Sequence, residues 1–414
     1  MRRRAFLTAA AAAGLTASAI LPRTGLAAPA GLTSMTTGAK PIAAEERRAR
    51  IARLQRLMVN GKVGAMIIES GSSLDYFTGI QWRRSERTTA SVIPARGDII
   101  TVTPAFEEPS VRETLVVGGE VRPWDEHENP FATIVGALKD RGVTAGAIAF
   151  ESTTRLFIVD GVRAANPALK VVSGDALVKA VRLIKSPAEL ALMQSANDVT
   201  LAALRHVHAG VRVGMSPGEI GELMTAATVA LGGAPEFGLV LINEASAYPH
   251  GSHQKQTLRE GSVILMDVGC TVHGYQSDIS RTWVMGQPTA KQRKVWDTVK
   301  RGQEIALATA RPGSPVGAID DAVRAYYEKE GWGPGYHLPG LSHRTGHGIG
   351  LDGHEPPYLV HGDATPLAPG MCFSDEPGIY IPGEFGIRLE DCWRMTETGP
   401  KLFTPLARSL EDPI

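Results

Sequence analysis

Apolar residues recur at helical spacing from Glu45 to about Asn60, with Ile51, Leu54, Leu57 and Met58 on one face, which predicts an amphipathic helix. Short apolar runs then alternate with helical stretches. Residues 63–68, 98–102, 145–150 and 169–172 read as strands, and residues 130–141 as a helix between them. Such alternation predicts a smaller α/β domain over residues 45–178. The pattern changes near Lys179. Ser186-Pro187-x-Glu189 and Ser216-Pro217-x-Glu219 each combine a capping box with proline at the first helical position. Further helices are expected over residues 289–310 and 316–330. Strand-like runs fall at 263–268, 275–285, 371–381 and 385–395. The order of helices, hairpin, helices, hairpin suggests an α+β domain over residues 179–414, in two halves of similar build.

The first 30 residues do not fit this scheme. Arg2, Arg3 and Arg4 precede Phe6-Leu7 and an Ala-rich apolar run to about Leu21, with small-residue cleavage options at Gly25-Leu26-Ala27 and Ala28-Pro29-Ala30. That is the layout of a secretory signal. Its Arg3-Arg4-x-Phe6-Leu7 core resembles a twin-arginine signal, which implies an exported, periplasmic protein. The run is shorter than the ~20 residues a membrane span needs, so no stable membrane anchor is expected. Residues 31–44 are rich in Gly, Thr, Ser and Ala and read as a flexible linker.

The composition is that of an ordinary globular protein, 43% hydrophobic and 21% charged over 414 residues. Lys plus Arg and Asp plus Glu are both 43, and this balance argues against a nucleic-acid partner. Cys270, Cys372 and Cys392 form no close pair, which argues against a disulfide framework or zinc knuckle. They read as small buried hydrophobes.

The chemistry lies in the two hairpins. Asp267 sits inside the apolar run Val263-Ile-Leu-Met-Asp267-Val-Gly, and Asp278 follows in Gly274-Tyr-Gln-Ser-Asp278-Ile-Ser. A buried aspartate is costly unless it is paired or bound to a metal. A turn centred on Val272-His273 would set Asp267 directly opposite Asp278; one centred on His273-Gly274 would make them diagonal neighbours. Either register puts both on one face. The logic repeats downstream. A three-residue turn on Pro382-Gly383-Glu384 would pair Glu376 with Glu390. Carboxylates that close repel, and divalent cations are the natural remedy. Gly346-His347-Gly-Ile-Gly350 adds a histidine whose flanking glycines would allow close approach to a ligand. His354 follows in Gly353-His354-Glu-Pro-Pro, and His250 stands in Pro249-His250-Gly251.

Asp267, Asp278, His347, Glu376 and Glu390, in that order and in those contexts, resemble the metal ligands of the pita-bread metallopeptidases over about residues 180–410. The stretches from His343 to Leu351 and from Gly386 to Asp391, and the separate N-terminal domain with its Ser73-Leu-Asp-Tyr76-Phe-Thr-Gly79 segment, resemble the Xaa-Pro aminopeptidase and prolidase branch. The fold implied is an α+β pita-bread catalytic domain of the creatinase/aminopeptidase type, preceded by a creatinase-type N-terminal domain. The resemblance implies two divalent ions per chain, manganese first, with cobalt, zinc or iron as substitutes. Asp267 would chelate one ion, Asp278 and Glu390 would bridge both, and His347 and Glu376 would hold the other. Glu376 would shuttle protons, and His250 and His354 would contact substrate. Arg388 would orient the ligands or pair with an acid such as Asp391. A homodimer is implied, with the loop of Trp82, Arg83, Arg84 and Glu86 reaching the partner's site. The substrate expected is a small peptide with an Xaa-Pro bond. Ectoine hydrolase-like and dimethylsulfoniopropionate lyase-like relatives make a small molecule the alternative. Creatinase-like enzymes and non-enzymatic binding modules lack these ligands, so the intact set argues against both.

Overall fold

The structure, a computed structural model, describes residues 31–414; the export signal expected over residues 1–30 lies outside them. The N-terminal part opens with helix α1 (Ala44–Asn60) and builds a six-stranded mixed sheet. Its strands are β1 (Ala65–Glu69), β2 (Ala90–Pro94), β3 (Ile100–Pro104), β4 (Glu120–Trp124), β5 (Gly146–Phe150) and β6 (Leu169–Ser173), in the spatial order β4-β3-β2-β1-β5-β6. Helices α2 (Ser72–Thr78), α3 (Glu108–Thr114), α4 (Pro130–Asp140), α5 (Leu156–Ala165) and α6 (Asp175–Arg182) connect them. Strand β1 is buried throughout because both faces are covered. Ala65 and Ile67 pack with Ile134, Leu138 and Ile158, whereas Met66 and Ile68 pack with Leu54 and Met58 of α1. Sequence patterning missed β2 and β4. Pro94 closes the first and Pro123 interrupts the second, which lies at the sheet edge where a missing N–H is tolerated.

The second part begins with α7 (Pro187–Gly210) and α8 (Pro217–Ala230), each started by a complete capping box. Strands β7 (Ala234–Ile242), β8 (Val263–Val272), β9 (Tyr275–Gln276) and β10 (Ile279–Val284) form the first sheet, in the order β10-β8-β7 with β9 paired to β8. Helices α9 (Ala290–Thr309) and α10 (Gly317–Lys329) precede the second set of strands: β11 (Gly346–Gly348), β12 (Glu355–Leu359), β13 (Cys372–Asp375), β14 (Gly378–Ile381), β15 (Phe385–Arg388), β16 (Asp391–Thr396) and β17 (Gly399–Leu402). Five of these pair in the order β12-β11-β13-β16-β17, and β14 pairs with β15 alone.

Both hairpins have resolvable registers. Val272 faces Tyr275 and Asp267 faces Ser280, so the first turn is His273-Gly274 and Asp267 and Asp278 are diagonal neighbours. His273 and Gly274 both have positive φ, 48° and 83°, as a two-residue primed turn requires. In the second hairpin Gly378 faces Arg388 and Ile381 faces Phe385, and the turn is Pro382-Gly383-Glu384. The ladder resumes in the same register beyond a gap, with Asp375 facing Asp391. Glu376 and Glu390 therefore oppose each other at the break between two sheets. Each sends its backbone N–H elsewhere, Glu376 to Thr345 O at 2.8 Å and Glu390 to Ser280 O at 3.0 Å.

The segment expected to be a flexible linker is irregular but docked. Met35 N–H donates to Leu231 O (2.8 Å), the Thr36 hydroxyl to Gly232 O (3.0 Å), and Ile42 is buried. Its small polar residues leave the backbone free to bond across, which composition does not reveal. The N-terminal part meets the rest of the chain through buried charge. Arg182 donates to Ser73 Oγ (3.1 Å), Asp352 (2.8 Å) and Glu355 (2.8 Å), and Lys185 also pairs with Glu355.

Behind the second hairpin, fully buried Arg281 donates to both oxygens of fully buried Asp391 (2.7 and 3.2 Å) and to Glu390 O (2.7 Å), tying β10 to the strand that follows Glu390. Removing one member leaves an uncompensated buried charge, a loss of about 3–5 kcal/mol. Arg281→Met is therefore expected to lower the thermal denaturation midpoint by several degrees. An unchanged midpoint would show that the pair carries no net stability.

Candidate metal centre

The four carboxylates converge on a cavity of about 440 Å³, whose wall also includes His250, His343, Arg344, His347, His354 and Arg388. Side chains alternate along each strand, so the hairpin registers put Asp267 with Asp278, and Glu376 with Glu390, on the faces that meet there. Ligand atoms of Asp267, Asp278 and Glu390 lie within 4.8 Å of one another, and so do those of His347, Glu376 and Glu390. These two groups share Glu390. Asp278, His347 and His354 form a third group by the same measure.

His347 is held ready to ligate. Its backbone N–H donates to Ser374 Oγ (3.1 Å) and its Nδ1–H to Gly348 O (3.1 Å). A carbonyl only accepts, so Nδ1 carries the hydrogen and the Nε2 lone pair is free. Nε2 lies 3.6 Å from both Asp278 and Glu376. Burial pushes this imidazole well below the ordinary histidine range, so it is neutral, as a ligand must be. The loop before it is pinned by α10, where Asp320 accepts from the Thr345 hydroxyl (2.7 Å). The flanking glycines serve the sheet. A Cβ at Gly346 would meet Ser374 O at 2.3 Å, and one at Gly348 would meet Glu355 O at 2.3 Å. Close strand packing, rather than ligand approach, requires them.

The carboxylates are under electrostatic stress. Burial first, then the neighbouring acids, push Asp278 and Glu390 well above the usual carboxylate range. Burial raises Glu376 to about 7. Asp267 Oδ1 and Glu390 Oε1 are buried without any hydrogen-bond partner. Orphaned anionic oxygens pointing into a shared cavity fit divalent cations and little else.

Arg388 works on the ligands. It pairs with Asp267 and donates to Ser280 Oγ (3.0 Å), whose own hydroxyl donates to Glu390 (2.6 Å). It takes no part in binding Asp391, which Arg281 occupies. Arg388 also donates to the Tyr380 hydroxyl (3.1 Å), and that hydroxyl lies 2.7 Å from His343 Nε2. His343 is held at about 3, by burial and then by the Arg388 charge, and so accepts from Tyr380. His354 stacks on His347 with ring centroids 3.7 Å apart, and both it and His250 are exposed to the cavity. Sequence reasoning overlooked His343, Arg344 and Tyr380 as site residues. The first two precede His347 in the stretch singled out, and alternation along the strand from Gly378 places Tyr380 on the side opposite Ile379.

Residues 191–397 match the family described as Metallopeptidase family M24. The chain belongs to metallopeptidase family M24. Residues 50–184 match the Creatinase/Prolidase N-terminal domain. This M24 chain is 32% identical to the probable dipeptidase PepE of Mycobacterium tuberculosis, over 87% of this chain and 95% of that one. It is 29% identical to the Xaa-Pro dipeptidase of Lactobacillus helveticus, over 87% and 97%. Among solved structures, the recombinant prolidase from Thermococcus sibiricus superposes with a TM-score of 0.80 at 27% identity, covering 87% of this chain and 97% of that one. The M24 peptidase is thus a metal-dependent hydrolase with the pita-bread fold and a creatinase-type N-terminal domain.

Carboxylates raised by burial hold protons in the metal-free fold, and a bound cation must expel them. Proton release per ion bound by this M24 protein is expected to be substantial near pH 6 and to fall as pH rises through about 7, where Glu376 ionises unaided. Titration calorimetry in buffers of different ionisation enthalpy reads this number. No release at pH 6 would mean the acids are already ionised without metal.

Proposed function

We propose that the protein is a two-metal hydrolase that cleaves Xaa-Pro peptide bonds. The observation that carries the metal count is the pair of ligand groups sharing Glu390. Asp267, Asp278 and Glu390 would hold one ion, and His347, Glu376 and Glu390 the other, with Asp278 leaning toward both. Four carboxylates and one imidazole form a hard donor set, suited to manganese. Bound there, the ions would supply a water of lowered pKa and an electrophile for the scissile carbonyl.

The chain's own residues supply the rest. Glu376 lines the cavity beside His347, so its carboxylate can take a proton from the attacking water and release it to the departing amine. His250 and His354 stand at the cavity wall, free to donate hydrogen bonds to the substrate carbonyl as charge develops on it. Arg388 fixes the Asp267 carboxylate so that it needs no reorientation during turnover. Proline at the cleaved bond is supported by the named activities of the relatives. A physical reason is that its nitrogen has no N–H, so a wall with apolar Phe237 and Leu239 leaves nothing unpaired.

Two measurements bear on this reading. With manganese present, turnover of Xaa-Pro is expected to exceed that of Xaa-Ala by at least tenfold. Equal rates, or turnover only of a small-molecule amide, would retire the peptide assignment and leave the metal site standing. Separately, His354→Ala should keep its metals and lose on the order of 10²–10³ in turnover. His347→Ala should lose metal by elemental analysis; equal loss from both variants would make His354 a ligand.

A further inference from the structure

Asp375 and Asp391 face each other directly across β13 and β16. Alternation along the strands turns both away from the cavity that Glu376 and Glu390 enter. The two are treated very differently. Asp391 accepts four hydrogen bonds, two from Arg281, one from Gln303 Nε2 (3.0 Å) and one from the Thr404 hydroxyl (2.7 Å). Asp375 is as deeply buried and accepts none. Among the described residues no cation pairs with it, and Lys300, whose charge favours its ionised form, pairs instead with Glu304 at 3.0 Å. Two neighbouring oxygens are in the same state. Gln303 Oε1 and the Tyr327 hydroxyl are buried without a partner. Gln303 lies over Asp375, with Nε2 3.5 Å from the Asp375 carbonyl. Tyr327 reaches in from α10 to touch α9 one residue before Gln303, where a Cβ on Gly302 would meet its hydroxyl at 2.5 Å. After burial, the Asp375 charge is what raises that hydroxyl most. Unpartnered oxygens from three side chains thus converge between β13, α9 and α10.

A buried carboxylate with neither cation nor donor is costly. A proton would relieve it only if the new O–H found an acceptor, and none stands at hydrogen-bond distance from either Asp375 oxygen. A water would supply hydrogen bonds and leave the charge. Arg281 neutralises Asp391, so a single positive charge balances what remains, and a divalent ion would overshoot. Oxygens ringed about a cation stand further apart than hydrogen-bonded pairs, as these do. The donors are all oxygen, the set a hard cation takes. We propose that Asp375, Gln303 and Tyr327 form a buried site for one potassium ion, which gives up its water more readily than sodium. The site is separate from the divalent centre, because Asp375 is absent from that cavity's wall. Occupied, it would tie α9 and α10 to the strand whose next residue is Glu376.

The test measures the thermal denaturation midpoint of the manganese-loaded protein in potassium chloride and in choline chloride of equal ionic strength. Wild type is expected to melt about 2 °C or more higher in potassium, because an ion that binds only the folded state stabilises it by mass action. Asp375→Leu removes the charge without leaving a buried donor, and its midpoint should be the same in both salts. Equal midpoints for wild type overturn the inference and leave Asp375 holding a proton or a water. A potassium effect that persists undiminished in Asp375→Leu overturns it as well, because the ion then binds elsewhere. Should that variant fail to fold, wild-type crystals soaked in rubidium chloride decide the matter. An anomalous peak at the Asp375 carboxylate supports the site, and its absence there overturns it. None of these outcomes touches the Xaa-Pro reading, which concerns the opposite face of the strand.

Discussion

Four carboxylates are forced onto the wall of one cavity, and the rest of the catalytic domain is arranged to make that tolerable. Like charges at such separation cannot all ionise in a medium of low dielectric. The structure meets the conflict by raising their proton affinity and by leaving two oxygens without any protein partner. Nothing apolar could replace that arrangement without losing the reason for it. Repulsion of this kind is useful because divalent ions relieve it, which makes metal affinity a direct product of the strain among the ligands.

The framework that resists the repulsion is built from cations placed behind or beside the ligands. Arg388 holds Asp267 from one side, and Arg281 grips Asp391 from behind Glu390. Both are buried, so their pairs are held rigidly and are little screened by solvent. The charged contact between Arg182, Lys185 and Glu355 does the same for the seam with the N-terminal part, whose hydrophobic core is continuous with that of α7 and the first catalytic sheet. The strand that begins with Glu355 follows His354 directly, so the seam and the cavity wall share one stretch of chain.

Much of this was legible in the amino-acid order. Capping boxes at Ser186 and Ser216 marked helix starts to the residue, because the motif is local chemistry. The parity of Asp267 with Asp278, and of Glu376 with Glu390, followed from strand alternation whatever the turn. What alternation could not decide was the register of the first hairpin, which depended on whether His273 would accept a left-handed conformation. Whether Arg388 orients the ligands or pairs with Asp391 was open in the sequence, and Arg281, 110 residues from Asp391, decides it by taking that carboxylate. The role of His343 and Tyr380 was hidden because their bond joins a loop to strand β14, which only the fold brings together. The docking of residues 31–43 was hidden for another reason: one backbone bond, one hydroxyl and one buried isoleucine make it, and none of these stands out in the composition.

The break in the second hairpin has a consequence for how this chain can change over time. Glu376 and Glu390 meet because the turn at Pro382-Gly383-Glu384 is three residues long and the ladder keeps one register on both sides of the gap. A one-residue slip of the ladder at that turn would rotate every side chain beyond it to the opposite face of the strand. Glu390 would then point toward α9, and Asp391 would point into the cavity without its arginine. An exposed surface turn, ordinarily the part of a protein most open to change, here stands at the end of the ladder whose register brings two metal-binding side chains face to face.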